Sequence, residues 1–172
     1  MIHINIGSNL DSKFGNKFDN ISLAINLLIE SKIKIKKISN FYETPSYPNK
    51  NFPKFANIGV IIESNFDHLS FLKEILLIEK KIGRLKKKKN EPRVCDIDII
   101  DFNSLIKKTK LLDLPHPRCH LRNFVLYPIK EIDPTWKHPI LMKNIDHLIR
   151  DLSQNSRIEI TRLMKSANIK HD

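Results

Sequence analysis

Apolar residues along this chain recur at two spacings, alternate positions and helical positions, and the switches between them outline the elements. Ile2, Ile4 and Ile6 alternate with His3 and Asn5, the period of a half-buried strand. GSNL at 7–10 reads as a tight turn in which Gly7 gives the backbone freedom. Phe18, Ile21, Ala24, Ile25 and Leu28 then share one helical face. Ile33 and Ile35 alternate with Lys34 and Lys36, which predicts a second strand running to about Phe41. Pro45, Pro48 and Pro53 mark a long loop. A third strand follows over 55–63, with Ala56, Ile58, Val60 and Ile62 on its inner face and Phe55, Asn57 and Gly59 on the other. Asp67 is placed to cap a helix that runs to Ile82 and stops at Gly83. Its apolar stripe is Leu72, Ile75, Leu76 and Ile82, and Glu79 falls inside it, where a carboxylate is costly unless paired. A fourth strand, DIDIIDF, begins at Asp96. Beyond it the pattern predicts a short helix around 121–127, a turn at Asp133-Pro134, a helix over 145–152 and a last strand over 157–163.

This order, strand–helix–strand–strand–helix–strand followed by additions, predicts an α+β fold. The expected core is ferredoxin-like βαββαβ, a mainly antiparallel sheet with flanking helices and C-terminal additions. The whole chain, 1–172, reads as one domain. Two helices should cover one sheet face. The other, carrying Asn5, Phe55, Asn57, Asp96 and Asp98, is expected to lie open as a ligand floor.

Composition narrows the function classes. The chain is 41% hydrophobic, and no apolar run is long enough to span a bilayer. MIHINIGSNL lacks the features of a signal peptide, so a cytoplasmic protein is expected, with no membrane partner. Cys95 and Cys119 form no metal or disulfide pattern. Cys95 is out of phase with Asp96 and is expected to pack as a small hydrophobe beneath the sheet. The net charge of +11 invites a nucleic-acid reading, but the lysines are scattered along most segments. Of the 30 basic residues only seven are arginine. Four of those (Arg84, Arg93, Arg118, Arg122) cluster in sequence around the fourth strand, where a planar fork suits phosphate.

The most informative chemistry lies in that strand. Asp96 and Asp98 are two residues apart and project from one face, with Ile97 and Ile99 on the other. Two neighbouring carboxylates repel and raise each other's pKa, so the pair calls for positive charge. A hard divalent cation shared with nucleotide phosphates fits best. Glu79 then reads as an acid behind the metal or the arginines. The run 86–89 links Arg84 to Arg93 and is expected to close over phosphates.

At this point the chain resembles the 6-hydroxymethyl-7,8-dihydropterin pyrophosphokinases of folate synthesis. The resemblance runs in order through GSNL, YETPSYP at 42–48, FANIGV at 55–60 and IEKKIGR at 78–84. It continues through PRVCDIDIIDF at 92–102 and LPHPRCHLRNFVLYPI at 114–129. It implies transfer of a pyrophosphoryl group from ATP, as co-substrate, to the pterin hydroxymethyl oxygen, with release of AMP. Asp96 and Asp98 would hold two Mg2+ ions and, with Arg84 and Arg93, form the catalytic set. Arg84, Arg93, His116 and Arg122 would contact ATP phosphates, and the adenine would lie near Ile99 and Leu112. Phe55 and Phe124 would sandwich the pterin, while Thr44, Pro45, Tyr47, Asn57 and Arg122 line its pocket. ATP and the pterin are the expected partners of a monomer that binds no nucleic acid. The chain departs from the family pattern at Asn90-Glu91, where an aromatic residue often precedes Pro-Arg. It departs also at Leu76, where glutamine often meets the nucleotide, and at Pro117, where some members have tyrosine.

Two other readings exist. A nucleotidyltransferase would use a GS…DxD signature, but Gly7-Ser8 lies almost ninety positions before Asp96. A basic RNA-binding ferredoxin-like module would explain the charge, yet it would carry aromatic residues where Asp96 and Asp98 stand.

Overall fold

The computed structural model describes residues 1–84 and 91–169; the lysine run 86–89 lies outside the described residues. The elements in chain order are β1 (Ile2–Ser8), α1 (Lys17–Glu30), β2 (Lys34–Ile38), β3 (Tyr42–Thr44), β4 (Phe55–Glu63) and α2 (His68–Ile82). They continue with β5 (Asp96–Phe102), β6 (Lys107–Lys108), β7 (Asp113–Leu114), α3 (Asn123–Ile132), α4 (Ile145–Asp151), α5 (Gln154–Ile158) and β8 (Thr161–Arg162). The main sheet runs β5-β1-β4-β3-β8, with β2 also paired to β4. Every pairing is antiparallel. The α+β class and the ferredoxin-like strand order thus hold.

The helix ends follow from their caps. Asn16 accepts from the amides of Phe18 and Asp19 while Asp19 accepts from Asn16, a complete capping box. Asp67 caps α2, and Gly83 closes it in the left-handed region at φ 110°. The buried face of α2 is Phe71, Ile75, Ile78, Glu79 and Ile82. Leu76 is 53% exposed, so the expected stripe was rotated: Phe71 and Ile78 carry the packing in its place.

Two cores sandwich the sheet. Beneath it, α1 and α2 pack on Ile2, Ile4, Ile6, Ile58, Val60, Ile97 and Ile99, with Cys95 fully buried among them. Above it lies a second core of Ile100, Cys119, Val125, Leu126, Ile129, Trp136, Ile145, Leu148 and Leu152. The expectation of an open second face is corrected here. α3 lies across β4 at Gly59, where a Cβ would come within 3.0 Å of the Pro128 side chain. Among the described residues, the end of that face near Asn5, Asn57 and the aspartates stays open to a ligand. A bulge opposite His3/Ile4 makes Ile100 the extra residue of β5. Ile99 and Ile100 therefore enter opposite cores, and Asp101 turns up to accept from Trp136 Nε1 at 2.9 Å.

Other boundaries also moved. Gly7 and Ser8 complete β1; they are not a turn. Gly7 is needed for close approach, since a Cβ there would sit 2.6 Å from Asn57 Oδ1. The second strand is broken: β2 ends at Ile38, Ser39 binds Gly59 through both backbone and hydroxyl, and β3 resumes at Tyr42. The predicted last strand over 157–163 is α5 followed by a two-residue β8. Here β-branched and apolar residues at Ile158 and Ile160 gave a strand-like pattern, but Ser153 caps a helical turn by accepting from Ser156.

Candidate active site

The open end of the second face leads into a cavity of about 780 Å3. Its floor comes from β1, β4 and β5, one wall from the 44–55 loop, and another from residues 116–124. Thr44, Pro45, Tyr47, Phe55, Asn57, Arg84, Arg93, Asp96, Asp98, His116, Arg122 and Phe124 all line it. A smaller cleft of about 250 Å3 adjoins it, lined by Leu72, Ile97, Ile99, Leu112 and Asp113. Asp98 and His116 line both, so the two spaces meet beside Asp98, while Asp96 lines the larger one.

Asp96 and Asp98 leave β5 on the cavity side, as strand alternation requires. Arg84 Nη1 reaches Asp96 Oδ1 at 2.9 Å, and Arg93 Nη1 contacts Asp96 Oδ2. Arg122 Nη1 donates to Asp98 Oδ2 at 2.9 Å. Burial, and then the charge of Asp98, push the Asp96 pKa up against the two arginines beside it. The carboxylates are thus held by cations from three different segments. Two carboxylates on one strand face are hard oxygen donors of the kind a divalent ion takes, and in this structure Arg84, Arg93 and Arg122 supply the positive charge beside them.

Glu79 does not line the cavity. Its side chain is 2% exposed and sits behind Arg84, which it contacts. Glu79 Oε1 also accepts from the Ile97 amide at 2.7 Å. Burial raises its pKa to about 7, despite Arg84 and the Ile97 N–H, which both favour the ionised form. One side chain therefore ties α2 to the start of the aspartate strand and to an arginine of the site.

His116 is held neutral. Burial and the neighbouring Arg122 lower its pKa to about 4. Its Nδ1 accepts from the Arg118 amide at 3.0 Å, and its Nε2 faces Arg122 Nη1 at 3.2 Å and Asp98 Oδ2 at 3.9 Å.

The aromatic side of the cavity has its own support. Arg122 stacks over the Phe124 ring at 5.4 Å. Pro128 has no N–H to give the carbonyl four residues earlier. That carbonyl, of Phe124, is met by the Asn5 amide, which in its donating orientation reaches it at 2.9 Å. The Phe124 N–H donates to Asn123 Oδ1 at 2.6 Å. Asn57 presents a buried amide nitrogen with no protein partner, an unmet donor that a polar ligand would satisfy.

Asn9 is a residue that the pattern alone did not single out. It is buried, accepts from the Arg93 amide at 2.7 Å, and donates to Ser46 Oγ and Pro53 O, both at 3.1 Å. An asparagine at the end of a strand, followed by no helix to cap, was the available signal. A second cluster, Cys119, His120 and His138, brings three donor atoms within 4.8 Å of one another. It does not suit a cation: His138 Nδ1 accepts from the Ile140 and Leu141 amides, so the neutral ring carries its proton on Nε2 and has no lone pair to offer.

A family model described as 7,8-dihydro-6-hydroxymethylpterin-pyrophosphokinase matches residues 3–134. The chain is 34% identical over 142 residues to a 2-amino-4-hydroxy-6-hydroxymethyldihydropteridine pyrophosphokinase of Aquifex aeolicus, covering 83% of this chain and 86% of that protein. It is 37% identical over 141 residues, 82% of its length, to a folic acid synthesis protein of Dictyostelium discoideum, of which it spans 21%. Among solved structures, that of Plasmodium falciparum HPPK-DHPS superposes with a TM-score of 0.70 at 18% identity. That match covers 94% of this chain and 47% of the Plasmodium chain, so the likeness extends over about half of the larger protein.

Proposed function

The chain belongs to the 7,8-dihydro-6-hydroxymethylpterin-pyrophosphokinase family and is a pyrophosphate-transferring enzyme of folate biosynthesis; we propose that it moves the pyrophosphoryl group of ATP, with Mg2+, to the hydroxymethyl oxygen of 6-hydroxymethyl-7,8-dihydropterin and releases AMP. The observation that carries this reading is the junction of the two cavities at Asp98 and His116, with Asp96 beside it in the larger one. A nucleotide in the smaller cleft and a flat heterocycle in the larger would meet at Asp98, next to Asp96.

In this reading Ile99 and Leu112 take the adenine. Arg84, Arg93, Arg122 and neutral His116 take the phosphates, exchanging their contacts with the aspartates for contacts with phosphate oxygens. Asp96 and Asp98 would hold two Mg2+ ions, which when bound supply charge neutralisation on the phosphates and polarise the attacking hydroxyl. Phe55 and Phe124 hold the pterin between aromatic faces. Asn57 gives its unpartnered N–H to a pterin acceptor, and Thr44, Pro45 and Tyr47 bound the pocket. Glu79 keeps Arg84 aimed at the phosphates. The chain then contributes mainly positioning and electrostatics, which is what phosphoryl transfer demands of a protein. One chain suffices to line both cavities, which accords with action as a monomer. Among the described residues no helix is long and apolar enough to cross a membrane, which accords with work in the cytoplasm.

The test is product analysis. ATP, Mg2+ and the pterin should yield AMP and diphosphorylated pterin in equal amounts, and none with chelator. ADP as product, or AMP joined to the pterin, contradicts the proposal.

A further inference from the structure

We infer that the C-terminal segment over 153–162 forms the outer wall of the pterin side of the cavity, and that Asn123 is the positioning residue that joins this wall to Phe124. The inference rests on the function proposed above.

The segment lies beyond residues 3–134, which the family model matches, yet it borders the cavity through Ser153, Asn155, Ser156 and Glu159. It is fastened at three places. Asn123 uses both ends of its amide: Oδ1 accepts from Phe124 N, and Nδ2 donates to Ser156 O at 2.6 Å. Lys50, in the loop that carries Tyr47, forms an ion pair with Glu159. Further along, β8 pairs with β3, and Arg162 binds Glu131 through Nε and Nη2, both at 3.2 Å. Glu131 also accepts from Tyr42 Oη at 2.7 Å. The segment therefore connects the aromatic residue on one side of the pterin slot with the loop on the other.

Such a bridge acts on pterin binding and leaves the nucleotide cleft alone, because none of its residues lines that cleft. The Lys50–Glu159 pair is exposed, with side chains 63% and 36% accessible, so its effect is modest and salt-sensitive. The Asn123 bond is partly buried, and its loss would leave the Ser156 carbonyl facing the wrong group.

The experiment uses the full chain and measures pterin KM, ATP KM and kcat separately. Lys50→Glu and Glu159→Lys should each raise pterin KM by about two- to fivefold with ATP KM unchanged, as expected for an exposed pair, and the double swap should recover the wild-type value. Asn123→Asp keeps the acceptor for Phe124 and removes the donor to Ser156; it should raise pterin KM by about tenfold. Unchanged pterin KM in both charge variants overturns the inference, as does equal loss for both substrates. The two charge variants lie on the surface and stay folded, so the result does not depend on Asn123→Asp folding. Wild-type protein lacking pyrophosphoryl transfer would instead overturn the proposed function.

Discussion

Glu79 stands directly behind Arg84, and the guanidinium that it contacts is the one that reaches Asp96 at 2.9 Å. A buried acid thus sets the position of a cation at the mouth of the site. Burial raises the Glu79 pKa to about 7, against an ordinary value near 4.3. Between those pH values the folded protein binds a proton that the unfolded chain has lost. Stability therefore falls as pH rises through this window, by about 4 kcal/mol at most. Glu79→Gln cannot take part in this titration. Urea unfolding without divalent cation, at intervals from pH 4.5 to 7.5, should show wild type losing stability relative to Glu79→Gln. Parallel profiles would contradict the buried acid.

Asn57 offers a donor that the protein leaves unmet. Asn57→Ala should leave folding stability within about 1 kcal/mol of wild type, because no intramolecular bond of that nitrogen is lost. The same change should raise pterin KM by about tenfold or more, the effect of deleting a hydrogen bond to a bound ligand. Lowered stability with unchanged pterin KM would make the amide structural.

Asn9 ties the end of β1 to Arg93 and to the loop between Ser46 and Pro53. Asn9→Ala removes three hydrogen bonds from a buried position. At about 1 kcal/mol each, the loss should reach about 3 kcal/mol in urea unfolding. A loss below about 0.5 kcal/mol would show that water replaces the amide without strain.

Much of this architecture is visible in the residues themselves. The isoleucines of β1, the caps at Asp67 and Gly83, and the spacing of Asp96 and Asp98 each depend on a local rule, and each lies where that rule puts it. What was not legible depends on distant partners. The cover over the second face is set by the fit of Pro128 to Gly59. The exposed Leu76 looks apolar in sequence, and only the tilt of α2 decides that Phe71 and Ile78 are buried in its place. The bulge at Ile100 sends two adjacent isoleucines to opposite cores, which no period-two pattern can express. The candidate site follows the same division. Its charged residues are recognisable by type, while Asn9 and Asn123 gain their roles from residues more than thirty positions away.

In the proposed function Asp96 and Asp98 act together where nucleotide and pterin meet. The decisive measurement is single-turnover transfer from ATP to the pterin by Asp96→Ala and Asp98→Ala, made beside their thermal melting. Each variant should be slower by about a thousandfold or more, since positioning and charge stabilisation supply most of the catalysis, and each should melt as a folded protein. Transfer within about tenfold of wild type by either folded variant, well short of the loss such groups produce, would contradict the account.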